Sequence, residues 1–422
     1  MNYFHYKDSE LWCEEVPVSM IARDVGTPLY LYSYRTIERH FNVFDEAFAP
    51  VPHIICFSVK ANSNIAILSM LAGMGGGVDI VSGGELYRAL LAGVNPGKIV
   101  YSGVGKRVDE IRYAIESDIL MFNVESEQEL EVINACAGEL RRKARISLRV
   151  NPDVDPMTHP HISTGLKENK FGIDINKSRY QYRRARELEH LDIVGVDCHI
   201  GSQITEMSPF LDALDRLTNL IRCLRKDGID IRYLDLGGGL GITYKEETPP
   251  HPTEYAEEII RRTKDIDCTL VFEPGRVVIG NAGILVSEVL YTKVSSEKHF
   301  VIVDAGMNDL IRPSLYGSYH AIQPVVEKSD DHFDADIVGP ICESGDYLAR
   351  KRTIPRFERG DLLAVMSAGA YGFTMASNYN SRPRVAEVLV KDDRYYVIRR
   401  RETYGDIVKG EAIPSFFAGV NG

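Results

Sequence analysis

The stretch His53-Ile54-Ile55-Cys56-Phe57-Ser58-Val59-Lys60 is an apolar, β-rich run that ends on a lysine and is followed by a helix-patterned segment, residues 61–74. The same alternation continues to about residue 276. Further strand candidates are 78–81, 99–101, 119–124, 145–151, 193–199, 231–236 and 269–273, with helical patterns at 125–142, 209–226 and 253–264. Strands that alternate with helices predict parallel pairing through right-handed crossovers. Eight such units over about 250 residues favour an α/β fold of the closed (β/α)8 TIM-type barrel, with an open doubly wound sheet as the competing fold.

The pattern changes after Arg276. Strand-like runs with turns between them then dominate, at residues 284–294, 299–304, 361–366, 385–390 and 395–399. This pattern predicts an all-β C-terminal domain, either a sandwich or a barrel. We therefore expect the barrel over residues 29–276 and the β domain over residues 277–422, joined by N-terminal residues 1–28. Strand-like runs at residues 3–6 and 29–32 could add to the second sheet.

The composition excludes several classes of protein. Of 422 residues, 60 are acidic and 49 basic, for a net charge of −11, which disfavours nucleic acid and anionic membranes as partners. No apolar run is long enough to cross a bilayer, and the N-terminus lacks the pattern of a signal peptide. The seven scattered cysteines form no C-x-x-C pair, and His159 and His161 are interpreted as loop residues. We expect a cytoplasmic protein without a metal site.

Polar residues follow the predicted strands at the points where reactive groups of a parallel barrel lie. These are Lys60, Asp79, Asn151, His199, the turn Gly237–Gly239 and Glu273. Lys60 at the mouth of a barrel is a candidate for Schiff-base chemistry, because partial burial would lower its pKa. A lone lysine at a strand end could instead extend to solvent.

The neighbouring positions each allow more than one interpretation. The glycine-rich turn at residues 237–241 could close around a phosphate together with Pro274-Gly275-Arg276, or it could be a tight structural turn. Glu273 would need a cationic partner, which could be a protonated pyridine-type nitrogen, Arg276 or a nearby lysine. His199 could be a core histidine, a general base or a flat ring that stacks on a cofactor.

Taken together, these segments resemble the fold-type III pyridoxal-phosphate-dependent decarboxylases along nearly the whole chain. The motifs that carry the resemblance are Ser58–Asn64, Asp79–Glu85, His161–Gly165, Lys170–Gly172, His199–Gln203, Gly237–Gly241, Glu273–Arg276, Arg312–Tyr316, Gly339–Asp346 and Ala368–Gly372. Each motif is a modest signal, but the ordered set is highly specific. Val104 stands where the family commonly has a proline.

The resemblance implies a role for each matching residue. Lys60 would hold pyridoxal 5'-phosphate as an internal aldimine, His199 would stack on the ring and Glu273 would pair with the ring nitrogen. Further cofactor contacts would come from Asp79, Ser202, Gly239, Gly275, Arg276 and Tyr371. The substrate would be bound by Arg276, Arg312, Tyr316, Glu343 and Tyr371. Cys342 would donate a proton after carbon dioxide leaves, and a neighbouring subunit of a homodimer would supply it together with Glu343.

The reaction that the resemblance implies is decarboxylation of meso-2,6-diaminopimelate to L-lysine and carbon dioxide, the last step of lysine biosynthesis, through an external aldimine. The distal end of this amino acid needs a cation for its carboxylate and an anion for its amine, as Arg276, Arg312 and Glu343 would provide. Three alternatives stay open. They are an amino-acid racemase, a decarboxylase of a carboxylated polyamine or a basic amino acid, and an inactive homologue that binds a protein partner.

Overall fold

The computed structural model describes residues 2–155, 170–296, 298–328 and 331–417. The described chain divides into two compact units. The first unit comprises residues 2–3, 33–283 and 367–374, and the second comprises residues 4–32, 284–366 and 375–417. His159, His161 and the motif at residues 161–165 lie outside the described residues.

The N-terminal segment belongs mainly to the second unit. Its elements are β1 (Phe4–Lys7), β2 (Glu10–Cys13), β3 (Val16–Pro17), α1 (Val18–Val25) and β4 (Leu29–Ser33). The first three strands form a small antiparallel sheet of their own, so the run at residues 3–6 does not extend the large sheet of this unit. Strand β4 does join that large sheet, and every residue of it is buried, as expected for a strand with neighbours on both sides. Residues 29–32, which we expected in the barrel, thus lie in the second unit.

The first unit is built by alternation of helices and strands. In chain order its elements are α2 (Tyr34–Phe48), β5 (His53–Ser58), α3 (Ile65–Gly73), β6 (Gly77–Ile80), α4 (Gly83–Leu91), β7 (Ile99–Tyr101), α5 (Val108–Glu116), β8 (Met121–Val124), α6 (Glu127–Glu139), β9 (Ala144–Asn151), β10 (Ile173–Asp174), α7 (Ile175–Arg186), β11 (Leu191–Asp197), α8 (Ser208–Lys226), β12 (Tyr233–Asp235), α9 (Pro252–Thr263), β13 (Thr269–Phe272) and α10 (Arg276–Ile279). Eight strands pair in parallel in the order β5-β6-β7-β8-β9-β11-β12-β13, and β13 pairs with β5. The predicted closed (β/α)8 barrel is confirmed.

The interior of the barrel is filled by apolar side chains from separate strands. Cys56, Val100, Met121, Val194 and Val271 are buried in one cluster although they come from five different strands. Such packing requires the strands to curve around a common axis. Because both faces of each strand are covered, the strand sequences are continuous apolar runs rather than alternating ones. On the outside, Phe48 of α2 packs on Phe272 of β13 with a centroid distance of 4.0 Å.

The second unit continues after the barrel. Its remaining elements are β14 (Gly283–Ser295), β15 (Lys298–Val303), α11 (Arg312–Tyr316), β16 (Ile322–Pro324), β17 (His332–Val338), β18 (Tyr347–Pro355), β19 (Leu362–Val365), β20 (Ala386–Lys391), β21 (Arg394–Arg399) and α12 (Tyr404–Ile407). Its large sheet has the order β18-β17-β15-β14-β4-β20-β21, and β19 pairs with both β14 and β16. The expected second, mostly β fold is confirmed. No helix in the described part of the chain is long and apolar enough to cross a membrane.

One short segment of the C-terminal half belongs to the barrel unit. Residues 367–374 are tied to it by hydrogen bonds from the Tyr371 N–H to the Ala61 carbonyl (2.9 Å) and from the Ala368 N–H to the Gly283 carbonyl (2.7 Å). A Cβ atom at Gly369 would lie 2.0 Å from the Ile279 carbonyl oxygen, so only glycine allows this approach. A division at residue 276 therefore does not capture this segment.

Candidate active site

Lys60 lies just beyond the end of a barrel strand. Strand β5 ends at Ser58, and Lys60 occupies the middle of a short 3-10 turn, Val59–Ala61. Its ammonium group is 2.6 Å from Oδ2 of Asp79, which is fully buried on β6. Burial alone would lower the pKa of Lys60, but the carboxylates of Asp79 and Glu273 raise it above its ordinary value. The lysine is therefore held as a cation.

Ser58 connects three strands beneath this lysine. Its hydroxyl donates to Asp79 Oδ2 (3.1 Å) and is also 2.9 Å from the carbonyl oxygen of Glu273. Among the described residues, Asp79 Oδ1 is buried and has no hydrogen-bond partner. A buried acceptor of this kind is costly unless a further donor reaches it.

Glu273 is a buried acid directly after β13. Its Oε1 accepts hydrogen bonds from the Ser102 hydroxyl and from the Asn123 amide, each at 3.2 Å. Burial, followed by the charge of Asp79, raises the pKa of Glu273 to about 7, while Lys60 lowers it. A cation beside this carboxyl group would stabilise its ionised form.

His199 follows β11 and is held as a neutral ring. Burial, together with the charges of Arg149 and Lys60, keeps the pKa of His199 well below its ordinary value. Its Nδ1 accepts a hydrogen bond from the backbone N–H of Gly238 at 3.1 Å, so the proton of the neutral imidazole is on Nε2. This is a flat, uncharged ring rather than an imidazolium.

The glycine turn after β12 is packed tightly against its neighbours. A Cβ atom at Gly238 would lie 2.3 Å from the Glu273 carbonyl oxygen, and one at Gly239, where φ is +112°, would lie 2.6 Å from the Gly201 carbonyl oxygen. Glycine is therefore required at both positions, and the backbone of the turn lies beside the end of β13.

Arg276 and Tyr371 form an adjacent group. The buried guanidinium of Arg276 donates to the hydroxyls of Tyr244 (2.6 Å) and Ser202 (2.9 Å). It also lies 4.9 Å from the ring centroid of Tyr371. The hydroxyl of Tyr371 is oriented toward Gly275, since a Cβ atom there would be 3.4 Å from it.

These residues line a single pocket at the rim of the barrel. The predicted site residues that line it are Lys60, His199, Ser202, Gly239, Glu273, Gly275, Arg276 and Tyr371. Asp79 lies behind Lys60. The structure thus brings together the nine barrel-unit residues to which the resemblance assigned a role. Asn151, at the end of β9, does not line the pocket.

The other four predicted site residues belong to the second unit. Arg312 is buried at the start of α11, where it donates to Nε2 of His320 (3.4 Å) and the hydroxyl of Ser318 (3.2 Å), and Tyr316 ends the same helix. Cys342 and Glu343 are exposed in the loop between β17 and β18. The Cys342 N–H donates to Asn380 (3.1 Å), and Glu343 accepts a hydrogen bond from the Tyr379 hydroxyl.

Sequence reasoning missed a group of polar residues beneath the pocket. Asn123 of β8, Asp197 of β11 and Asp235 of β12 are buried together with Glu273. Oxygen atoms of Asp197, Asp235 and Glu273 lie within 4.8 Å of one another. The available signal was a polar residue inside an otherwise apolar strand, as in Met121-Phe122-Asn123-Val124.

Comparison with known proteins gives consistent results. Residues 34–280 match the family described as "Pyridoxal-dependent decarboxylase, pyridoxal binding domain". The diaminopimelate decarboxylase of Vibrio cholerae is 51% identical, over 98% of this chain and 99% of its own length. The crystal structure of diaminopimelate decarboxylase from Helicobacter pylori with L-lysine is 43% identical, with a TM-score of 0.90 over 93% of this chain and 98% of that one. The corresponding lysine complex from M. jannaschii is 40% identical, with a TM-score of 0.93 over 98% of both chains. The chain therefore belongs to the pyridoxal-dependent decarboxylase family.

Proposed function

We propose that the protein is a diaminopimelate decarboxylase, which converts meso-2,6-diaminopimelate to L-lysine and carbon dioxide with pyridoxal 5'-phosphate as cofactor. Relatives of that name match nearly the whole chain, and two similar solved structures hold L-lysine, which would be the product here. The observation that carries the proposal is the pocket in which Lys60, His199 and Glu273 meet.

The side chains around the pocket fit pyridoxal phosphate. Lys60 offers an amine for the aldehyde, His199 a neutral ring for stacking, and Glu273 a buried acid for the ring nitrogen. The turns that contain Gly239 and Gly275 offer backbone close to Arg276 for the phosphate. When bound, the cofactor would supply an aldehyde for the amino group of the substrate and a ring able to accept the electron pair left on the substrate carbon by loss of carbon dioxide.

The side chains of the barrel unit would transfer protons and hold the reacting groups in position. Lys60 must lose a proton before it can act as a nucleophile, and Asp79 Oδ2, 2.6 Å from Nζ, is the nearest acceptor. Glu273 would place a negative charge beside the ring nitrogen and so stabilise a proton on it. Arg276 is kept in place by Tyr244 and Ser202, and its guanidinium lies 4.9 Å from the ring centroid of Tyr371.

Residues of the second unit would recognise the distal end of the substrate. Arg312 would bind the distal carboxylate with Arg276, and Glu343 would bind the distal amine, with Tyr316 and Tyr371 as further contacts. Cys342 would return a proton to the substrate carbon after carbon dioxide leaves. Because Cys342 and Glu343 are exposed on their unit, they are accessible to a second subunit, which supports a homodimer with shared active sites.

We further propose a cytoplasmic location and no metal requirement. All seven cysteines are free, and Cys342 is exposed, which suits a reducing compartment. The first unit would be the cofactor-binding domain.

The direct test supplies meso-diaminopimelate to the purified protein with pyridoxal phosphate. We expect equimolar lysine and carbon dioxide. Ornithine, lysine and a carboxylated polyamine serve as comparison substrates, since they lack a distal amino-acid group. Release of carbon dioxide from one of these in preference to diaminopimelate would contradict the proposed substrate, and racemisation without carbon dioxide would contradict the reaction.

The central lysine can be tested separately. Lys60→Ala should abolish the visible absorption of the lysine-bound cofactor and its reduction by borohydride, because Lys60 is the proposed site of attachment. Activity should be lost at the same time. Persistence of the reducible band in this variant would show that attachment occurs elsewhere.

A further inference from the structure

The proposed mechanism makes no use of the polar residues behind Glu273. Asn123 of β8 and Asp235 of β12 are fully buried, and they meet although two other strands separate β8 from β12 in the barrel sheet. The Asn123 amide donates to Asp235 Oδ2 (3.1 Å) and to Glu273 Oε1 (3.2 Å). It thus links the two acids directly.

The orientation of the Asn123 amide is determined by its other neighbours. Its carbonyl oxygen accepts a hydrogen bond from the Ser147 hydroxyl, so its NH2 group must face the acids. Asp235 is held in turn by the backbone N–H of Gly237, which donates to Oδ1 at 2.9 Å. Both carboxyl groups therefore have fixed positions.

The two carboxyl groups also lie close to each other. Oxygen atoms of Asp235, Glu273 and Asp197 lie within 4.8 Å of one another, and all three acids are buried. Buried carboxylates this close repel each other, so at least one of them must carry a proton unless a cation compensates the charge. A neutral carboxyl group can donate a hydrogen bond to an ionised one, whereas ionised carboxylates only accept.

Local cations do not remove this requirement. Lys60 pairs with Asp79 at 2.6 Å, and Arg149 pairs with Glu125 at 2.7 Å. Each of these nearby cations thus already has a carboxylate partner. Adjacent buried carboxylates cannot all ionise without such compensation.

We propose that Asp235 is a positioning residue that remains a neutral acid and donates its proton as a hydrogen bond to Glu273, while Asn123 orients both carboxyl groups. The inference about Asp235 rests on the proposed pairing of Glu273 with the cofactor ring. Asp235 is the more deeply buried of the two acids, whereas Glu273 lines the pocket where a cationic ring would compensate its charge. Because Asp235 keeps its proton, the negative charge of the pair lies on Glu273.

The electrostatic surroundings agree with this assignment. Burial and then the charges of Glu273 and Asp197 raise the pKa of Asp235 well above its ordinary range. The titratable and charged groups that face the pair from the surrounding elements are Cys56, Lys60, Asp79, Glu125, Arg149, Asp197, Cys198, His199 and Tyr255. Most of them are acids or are neutral, so they favour retention of the proton.

The first test follows the visible absorbance of the full-length protein with bound pyridoxal phosphate as a function of pH. Asp235→Asn keeps the shape and the hydrogen-bond donor, so we expect the midpoint of the titration to stay where it is in the native protein. Asp235→Leu keeps the volume but loses the donor, and we expect a shift of about one pH unit or more. If instead Asp235 were ionised, the Asp→Asn change would itself shift the midpoint, and the proposal would be wrong.

The second test measures the free energy of unfolding without cofactor. Above about pH 4 the unfolded chain releases the Asp235 proton and the folded protein keeps it, so the native protein loses stability as pH rises. Asp235→Asn should reduce this slope. Equal slopes in the variant and the native protein would overturn the proposal, even if Asp235→Leu failed to fold.

Asp227→Asn is the matched control on the same barrel. Asp227 is paired with Arg179 and Arg183, and its hydrogen bond to Arg179 lowers its pKa to about 2, so this change should alter the pH dependence of stability in the opposite sense. The cofactor spectrum should not change.

A divalent cation bound stoichiometrically in the purified protein would also overturn the proposal. If the native protein bound no cofactor, the proposed function would fail, whereas normal cofactor binding with a shifted Asp235→Asn titration would refute only this inference.

Discussion

At the scale of single residues, the charge on Lys60 is the central quantity. An isolated buried lysine would lose its proton easily, but here Asp79 lies 2.6 Å away and Glu273 adds a second negative charge. Their attraction exceeds the cost of burial, and the pKa of Lys60 is raised. A strand-end lysine could be identified from the sequence, whereas the direction of its pKa shift depends on two carboxylates that the chain places 19 and 213 residues away.

Asp79→Asn should make Lys60 a better nucleophile at low pH. The substitution is nearly isosteric and removes the carboxylate that stabilises the ammonium ion, so the pKa of Lys60 should fall. We expect the pH at which the cofactor-free protein captures pyridoxal phosphate at half its maximal rate to move downward by about one unit or more. Stopped-flow absorbance measures this rate.

Asp109→Asn is a control for that experiment, because Asp109 is exposed and pairs with Arg107. It should leave the pH profile of cofactor capture unchanged. An unaltered profile in the Asp79→Asn variant would mean that Asp79 does not determine the charge of Lys60.

At the scale of elements, the turn between β12 and α9 shows how close packing produces the site. Gly238 donates its N–H to His199 and approaches the carbonyl of Glu273, so one residue determines the positions of two others. The glycines could be interpreted from the sequence as a phosphate loop or as a tight turn. The structure shows that tight packing is needed, whereas phosphate binding stays a prediction.

Gly238→Ala should therefore disrupt the site as well as the fold. Its Cβ atom would lie 2.3 Å from a backbone oxygen, and the resulting backbone shift should cost about 1–3 kcal/mol of unfolding free energy. Affinity for pyridoxal phosphate should fall as well. Denaturant unfolding and a cofactor titration measure the two effects.

Gly73→Ala is the matched control. Gly73 is the last residue of α3, and a Cβ atom there would meet nothing within 4 Å. Alanine should be neutral or slightly stabilising at this position because it lowers the entropy of the unfolded chain. Equal stability of the two variants would contradict the role of close packing at Gly238.

At the scale of the whole molecule, the proposed site residues are divided between the two units. The predicted cofactor residues lie in the barrel unit, whereas Arg312, Tyr316, Cys342 and Glu343, the other predicted site residues, belong to the second unit. Cys342 and Glu343 are exposed there, and the proposed roles would require another chain to cover them. The proposed homodimer would provide that cover.

Subunit exchange tests this arrangement. Lys60→Ala and Cys342→Ala should each be inactive as homodimers. If Cys342 acts across the interface, mixing them in equal amounts should restore about one quarter of the native activity, because half of the dimers are then mixed and each has one intact site. A mixture that stays inactive after confirmed exchange would place Cys342 in the site of its own chain.

The sequence by itself determined the architecture of the barrel and much of its site. Eight apolar runs that alternate with helical patterns favour a closed parallel barrel over an open doubly wound sheet, and in a barrel the polar strand ends meet at one rim. Lys60, His199 and Glu273 could therefore be assigned to one site before their contacts were known, and the ordered motifs implied a cofactor for it.

Only the tertiary structure decided which distant residues complete that site. Asn123 and Asp235 join Glu273 because β8, β12 and β13 curve around one axis. The Tyr371 segment belongs to a different unit from the residues on either side of it, and residues 29–32 of β4 belong to a different unit from helix α2, which follows them. Local patterns report whether a residue is buried, but they do not report which residues share its hydrogen bonds. Those partners, and hence the proton balance of the buried acids, depend on how the barrel closes.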